Sequence, residues 1–299
     1  MGLMPVNGST TLPRRQLGRY LREAREAANM TLEQAATLME WGKSTLQRLE
    51  KGQTERVRIR EVEDLCELYG VGDERTAALK GLAQQAPVRS WWHAYGDLIP
   101  ANFNLYVGLE AAASTLTIFQ PLIIPGLLQT SAYTRILDRT YFPAETEIEL
   151  ERRIELRKQR QSIIFRKRRP ATASIVLHEA AIRTRVGGRA VMVPQLRHLA
   201  DASSRDNIEI RVLPYRAGFP IGWALPPFVL LEFGTEARSA SPEPTIVFAE
   251  SFTGSMYFER DTDVDRFREA YARVRQAALD VQPSRDVLRE IAREIDSER

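Results

Sequence analysis

The run Asn29–Gly52 constrains this chain more than any other stretch. Thr31-Leu32-Glu33-Gln34 has the Thr-x-x-Gln form of a capping box, which opens a helix by satisfying its first free N–H groups. Ala35, Leu38 and Met39 follow at helical spacing and predict one apolar face. Glu40-Trp41-Gly42 interrupts the pattern. A second helix is expected from about Lys43, with Leu46 and Leu49 inward and Gly52 as its C-terminal stop.

In that second helix, Lys43, Ser44, Gln47, Arg48 and Lys51 follow the spacing i, i+1, i+4, i+5, i+8 and share the outer stripe, with Thr45 beside them. A face of hydrogen-bonding and cationic side chains suits the major groove of double-stranded DNA. Arg or Lys can grip guanine O6 and N7 there, and Gln can pair with adenine. In a helix-turn-helix the first residues of the second helix lie on base edges. The plainer alternative is a solvated helix face. Ser44-x-x-Gln47 also fits a capping box, and a capping Ser need not touch a base.

The block Thr-Leu-x-x-Ala-Ala followed by Leu-x-Arg-Leu-Glu-x-Gly (residues 31–36 and 46–52) resembles the Xre (Cro/C1-type) helix-turn-helix of phage repressors and bacterial regulators. The resemblance implies that Lys43, Ser44, Gln47 and Arg48 meet bases or phosphates and that Lys51 meets the backbone. It also implies a structural ion pair between Glu50 and Arg25. One position departs from the pattern: the turn residue held by Gly in that family is Glu40, which predicts a longer or strained turn.

With 299 residues, two domains of ordinary size are expected. The net charge is only +3, so nucleic-acid binding must come from a local patch. The lone Cys66 lies in an apolar helical stretch, which suits a small buried side chain and excludes a disulfide framework. No secretory leader pattern opens the sequence and no run of eighteen apolar residues occurs, so no membrane association and a cytoplasmic location are expected.

Residues 1–12 are predicted to be a disordered tail, and residues 13–86 an all-α five-helix DNA-binding domain. Its first helix, Pro13 to Ala28, carries Leu17, Tyr20, Leu21 and Ala24 inward. Arg15 lies at its start, within phosphate reach. Arg56 and Arg58 sit in a basic loop after the second motif helix, either clamping the DNA backbone or simply solvated. Two further helices follow, from Ile59 to Tyr69 and Asp73 to Leu82. Residues 87–105 read as an aromatic linker whose Trp91, Trp92 and Tyr95 dock on a domain or close over a ligand.

Residues 106–299 are expected to form an α+β domain with a mixed sheet and flanking helices mostly on one face. Strand-like runs start near Leu116, Ala173, Ile208, Phe228, Thr245 and Met256. Leu122-Ile-Ile-Pro-Gly-Leu-Leu-Gln-Thr130 with Tyr133, His178-Glu-Ala-Ala-Ile-Arg183, Val186-Gly-Gly188 and Val212-Leu-Pro214 together resemble the domain that follows an Xre helix-turn-helix in actinobacterial regulators of the WhiJ-like type. That resemblance implies a transcriptional regulator with a companion protein as partner, and supplies no catalytic residues.

By themselves, Pro125–Gln129 predict a turn that is either structural or anion-holding. Glu145 to Arg168 predicts a long basic helix: a surface helix with apolar-covering stems, a second phosphate contact, or a docking face for an acidic partner. His93, His178 and His198 are too scattered for a zinc site, and neither a phosphate loop nor a nucleophile elbow occurs, so no metal, no cofactor and no enzyme are expected. His178-Glu179 reads as a strand-to-helix corner or a catalytic pair. The sequence therefore predicts a DNA-binding transcriptional regulator, a homodimer because one recognition helix reads few base pairs. Its C-terminal domain would sense a small-molecule effector or a protein partner. The competing reading is an antitoxin-like module that binds a small companion protein and uses DNA only for autoregulation.

Overall fold

The structure, a computed structural model, describes residues 12–54, 56–85, 91–95, 97–99, 101–234, 244–251 and 254–298. The expected tail, apart from Leu12, lies outside them. The chain divides into two compact units between Ala112 and Ala113.

The N-terminal unit opens with α1 (Leu12–Ala27), α2 (Leu32–Leu38), α3 (Lys43–Glu50), α4 (Ile59–Leu68) and α5 (Asp73–Gln85). Their inner faces close over Leu17, Leu21, Ala35, Leu46, Leu49, Val62, Leu65, Cys66 and Leu79. The capping box of α2 is formed in both directions. Gln34 N–H donates to Thr31 Oγ1 at 3.2 Å, and Thr31 N–H donates to Gln34 Oε1 at 2.8 Å. The apolar face of α2 differs from expectation. Leu38 is 61% exposed, and the inner face runs instead through Ala35, Ala36 and Met39.

Each of the first four helices ends by reversing into left-handed backbone, at Asn29, Glu40, Gly52 and Gly70. In each, the next N–H donates back into the last turn: Met30 to Arg25 O, Trp41 to Ala36 O, Gln53 to Arg48 O and Val71 to Cys66 O. Gly and Asn adopt this conformation readily. Glu40, at φ +56°, carries a Cβ there, at a cost of roughly 1 kcal/mol. The turn is thus of normal length, and the departure seen in the sequence is absorbed as strain at one residue.

Part of the expected linker is helical. Trp91–Tyr95 form a 3-10 turn, with Trp92 buried and edge-on to Trp91 at 5.7 Å. Ala101–Ala112 form α6, which the sequence reading did not anticipate. Tyr106, Val107, Leu109 and Glu110 are all buried, on every side of that helix, so no 3.6-residue polar alternation marks it.

The C-terminal unit is a mixed six-stranded sheet in the order β3-β2-β1-β4-β5-β6. The strands are β1 (Thr115–Gln120), β2 (Thr172–His178), β3 (Ile208–Leu213), β4 (Phe228–Glu232), β5 (Ile246–Ser251) and β6 (Gly254–Phe258). β1, β2 and β3 run parallel, connected through α7 (Ser131–Tyr141), α8 (Glu147–Phe165), α9 (Glu179–Arg183) and α10 (Arg189–Ala202). β4, β5 and β6 add an antiparallel half. The chain closes with α11 (Asp261–Ala277) and α12 (Val281–Ser297).

Both sheet faces are buried, which makes the strands near-continuous apolar runs. On one face Phe119, Val176, Phe228, Leu230 and Val247 pack with Val264, Tyr271 and Val274 of α11. On the other, Ile118, Ile175, Leu177, Ile210, Leu231 and Ile246 are equally buried. There α12 packs against β3 and α10 against α12. Glu209 of β3 is gripped by Arg275 at 2.8 Å and Arg211 at 2.7 Å, and these two guanidinium groups hold its carboxyl below the ordinary range.

Candidate nucleic-acid interface

α3 stands on α1. A Cβ added at Gly18, in the middle of α1, would lie 2.5 Å from Leu49 O and 2.6 Å from Glu50 O, so only Gly lets the two helices approach this closely. At the exit of α3, a Cβ at Gly52 would lie 2.9 Å from the Arg15 backbone. An ion pair adds a third fixing point. Arg25 Nε donates to Glu50 Oε1 at 2.6 Å and Nη2 to Oε2 at 2.9 Å, while Nη1 donates to Met30 O at 2.7 Å. Both side chains are almost wholly buried. The Glu50 carboxylate raises the already high Arg25 pKa, so the guanidinium keeps its charge.

This support turns Leu46 and Leu49 inward and leaves Lys43, Ser44, Thr45, Gln47, Arg48 and Lys51 exposed. Lys43 touches Glu33 of α2 at 3.1 Å, a solvent-exposed pair of little strength. Among the described residues, the side chains of Ser44, Thr45, Gln47, Arg48 and Lys51 have no hydrogen-bond or ionic partner. The N-cap of α3 is Gly42, which has no side chain to cap with. Ser44 is therefore not a capping residue, and the first amides of α3 remain available to a phosphate.

Arg56 and Arg58 are exposed on either side of the buried Val57, which pins their loop to the core. Arg58 also starts α4, where its N–H donates to Glu61 Oε2 at 3.0 Å. Arg15 is half-buried, its backbone against Gly52. Sequence reasoning missed Gly18. The available signal was a glycine inside an amphipathic helix, a position where it costs about 0.5–1 kcal/mol relative to Ala and so calls for a packing reason.

In the C-terminal unit, the basic helix is shorter than expected: α8 ends at Phe165, and Arg166–Arg169 form the turn into β2. Arg153 bonds Glu145 at 2.6 Å and lies over the Phe142 ring. Arg157 donates to Gln129 Oε1 at 2.6 Å and to Asp138 Oδ1 at 3.3 Å. Burial pushes the Asp138 carboxyl up, against the pull of Arg157.

The Pro125–Gln129 turn is enclosed by three glutamines. Gln161 Nε2 donates to Gly126 O and Gln129 O, Gln195 Nε2 to Leu128 O, and Gln129 Nε2 to Ile124 O, while Thr130 N–H donates to Gln195 Oε1. These bonds tie the carbonyls of the turn to α8 and α10. His178 and Glu179 form a corner: His178 Nδ1 accepts the Ala180 N–H at 3.1 Å, and Glu179 bonds Arg183 and the Tyr215 N–H. Burial lowers the His178 pKa, which keeps the imidazole neutral at pH 7. No helix among the described residues is long and apolar enough to cross a membrane.

Two family models match. Residues 16–79 match a "Helix-turn-helix domain", which supports DNA binding and transcription regulation. Residues 103–290 match "Domain of unknown function (DUF5753)", beginning inside α6. No curated protein matches the chain, and no solved structure does. The second match spans more than half of the chain: the protein belongs to the DUF5753 family, with a helix-turn-helix domain at its N-terminal end.

Proposed function

We propose that the protein is a sequence-specific transcriptional regulator of the Xre type that binds double-stranded DNA as a homodimer, with α3 in the major groove. The observation that carries this reading is the division of α3 into a face locked to α1 and a face of exposed donors. Arg48 and Gln47 read base edges, Lys43, Ser44 and Thr45 stand at the helix entry, and Lys51, Arg15, Arg56 and Arg58 meet phosphates. Two copies would address half-sites roughly 34 Å apart. The DUF5753 domain acts as the sensing part, without catalysis, and its effector changes operator affinity by a coupling energy of about 1–3 kcal/mol.

The test is selection from genomic DNA fragments at fixed salt, with the wild type beside a Lys43→Ala/Arg48→Ala variant. Salt is fixed because phosphate contacts alone change affinity steeply with it. Enrichment of a two-half-site sequence by the wild type alone is the expected result. Equal enrichment by both proteins removes α3 as the reading element. Sites confined to the promoter of the protein's own gene, together with a stoichiometric small protein co-purifying, would replace sensing with the antitoxin-like role.

A further inference from the structure

The C-terminal unit contains a cavity of about 460 Å³ on the sheet face that carries α11. Its floor is core: Phe119 of β1, Leu213 of β3 and Val274 of α11, all buried. Its rim is the opposite. Leu122, Phe219 and Trp223 line the mouth and are 69%, 71% and 78% exposed. Three large apolar side chains left in water around one opening mark a binding site rather than ordinary surface. A volume of this size is that of a small-molecule pocket, and partner-protein interfaces are flatter and wider.

The rim is preorganised. Gly218 and Gly222, at φ +58° and +75°, bracket Phe219, and Gly222 N–H closes the turn on Phe219 O at 2.8 Å. Pro220, Pro226 and Pro227 fix the backbone dihedrals of the same segment, which lowers the ordering cost of binding. Among the described lining residues, His178 alone has a titratable side chain. Its Nδ1 accepts the Ala180 N–H, so the neutral ring carries its proton on Nε2. Its ring stands nearly perpendicular to that of Tyr215, with the centroids 5.2 Å apart.

We propose that this cavity binds a neutral, largely apolar small molecule with one carbonyl-type acceptor for the His178 Nε2–H. The proposal gives the sensing role proposed above a site and a ligand class, and rests on that reading only for its regulatory consequence. An occupant touches Phe119, Leu213 and Val274 directly and so bears on the seam between sheet and α11.

The test uses the full chain and the probe prodan, a neutral naphthalene ketone whose emission moves to the blue on burial and back to the red when its carbonyl accepts a hydrogen bond. The expected result is saturable binding of one probe per chain with a blue shift. Trp223→Ala and Phe219→Ala, changes at exposed side chains, weaken it by about fivefold or more with unchanged thermal unfolding. His178→Asn keeps an acceptor for the Ala180 N–H, replaces the ring donor by an amide of shorter reach, and shifts bound-probe emission further to the blue. Absence of saturable binding overturns the proposal, as does binding indifferent to both rim variants. The same titration on DNA selected by the wild type separates the two readings. Probe binding without any selected operator leaves the cavity standing and removes the regulator. An operator whose affinity ignores a saturated cavity removes its regulatory consequence.

Discussion

α3 and α8 are both cationic helices, one in each unit, and they use their charges differently. On α8, Arg153 and Arg157 fold back onto Glu145, Asp138 and Gln129 and stitch the helix to α7 and the turn before it. On α3 and its C-cap, Arg48 and Lys51 are exposed and have no ionic partner among the described residues, while the acid that could have neutralised them, Glu50, is turned inward onto Arg25. α8 is the richer in arginine, yet its charge is largely answered from within. The lesson is that the number of cations on a helix says little about nucleic acid. What matters is whether the protein has already supplied the counter-charges.

The comparison can be broken at its strongest point first. Glu50→Ala leaves the Arg25 guanidinium buried without its partner and should cost about 3–5 kcal/mol of stability, read by denaturant unfolding. Loss of under about 1 kcal/mol would show that α3 is held by Gly18 packing alone. Next in size, Arg48→Ala should weaken operator binding by about 1–3 kcal/mol and relax preference at one base position, with stability unchanged. Arg157→Ala should do the reverse, lowering thermal stability while leaving operator affinity intact. If Arg157→Ala weakens DNA binding as much as Arg48→Ala, the contrast between the helices collapses.

A smaller effect is expected at the turn. Glu40→Gly relieves left-handed backbone and should raise stability by about 1 kcal/mol without altering the operator. The smallest concerns acid. The pKa of Glu209 is held below its ordinary value of 4.5 by Arg275 and Arg211, so its contribution to stability is complete above that value and disappears as pH falls through the lowered one. The stability gap between wild type and Glu209→Gln should therefore close only on the acid side of pH 4.5, followed by thermal unfolding across a pH series. A gap that persists unchanged at still lower pH would mean that the loss is one of packing.

Much of this was legible in the residues. The Thr31 and Gln34 pair announced α2, the outer stripe of α3 followed from its spacing, and each of the six strands began close to an apolar run. Local chemistry writes those features directly into sequence. Three things were not legible. α6 is buried all round and so has no polar face to betray its period. Gly18 serves a contact with residues some thirty positions away, which no window of the chain contains. The inward turn of Arg157 depends on a buried carboxylate and amide supplied by another segment, so the same helix reads as a solvated basic surface until its neighbours are known.

The support of α3 from behind has an evolutionary consequence. The side chains that fix its aim, Leu46, Leu49 and Glu50, are distinct from those that face outward, so the outer set can be exchanged without disturbing the fold. Divergent copies of such a gene could acquire new target sequences by substitution at Ser44, Thr45, Gln47 and Arg48 alone. Each intermediate would remain a folded protein, and a whole set of regulators could be drawn from one scaffold.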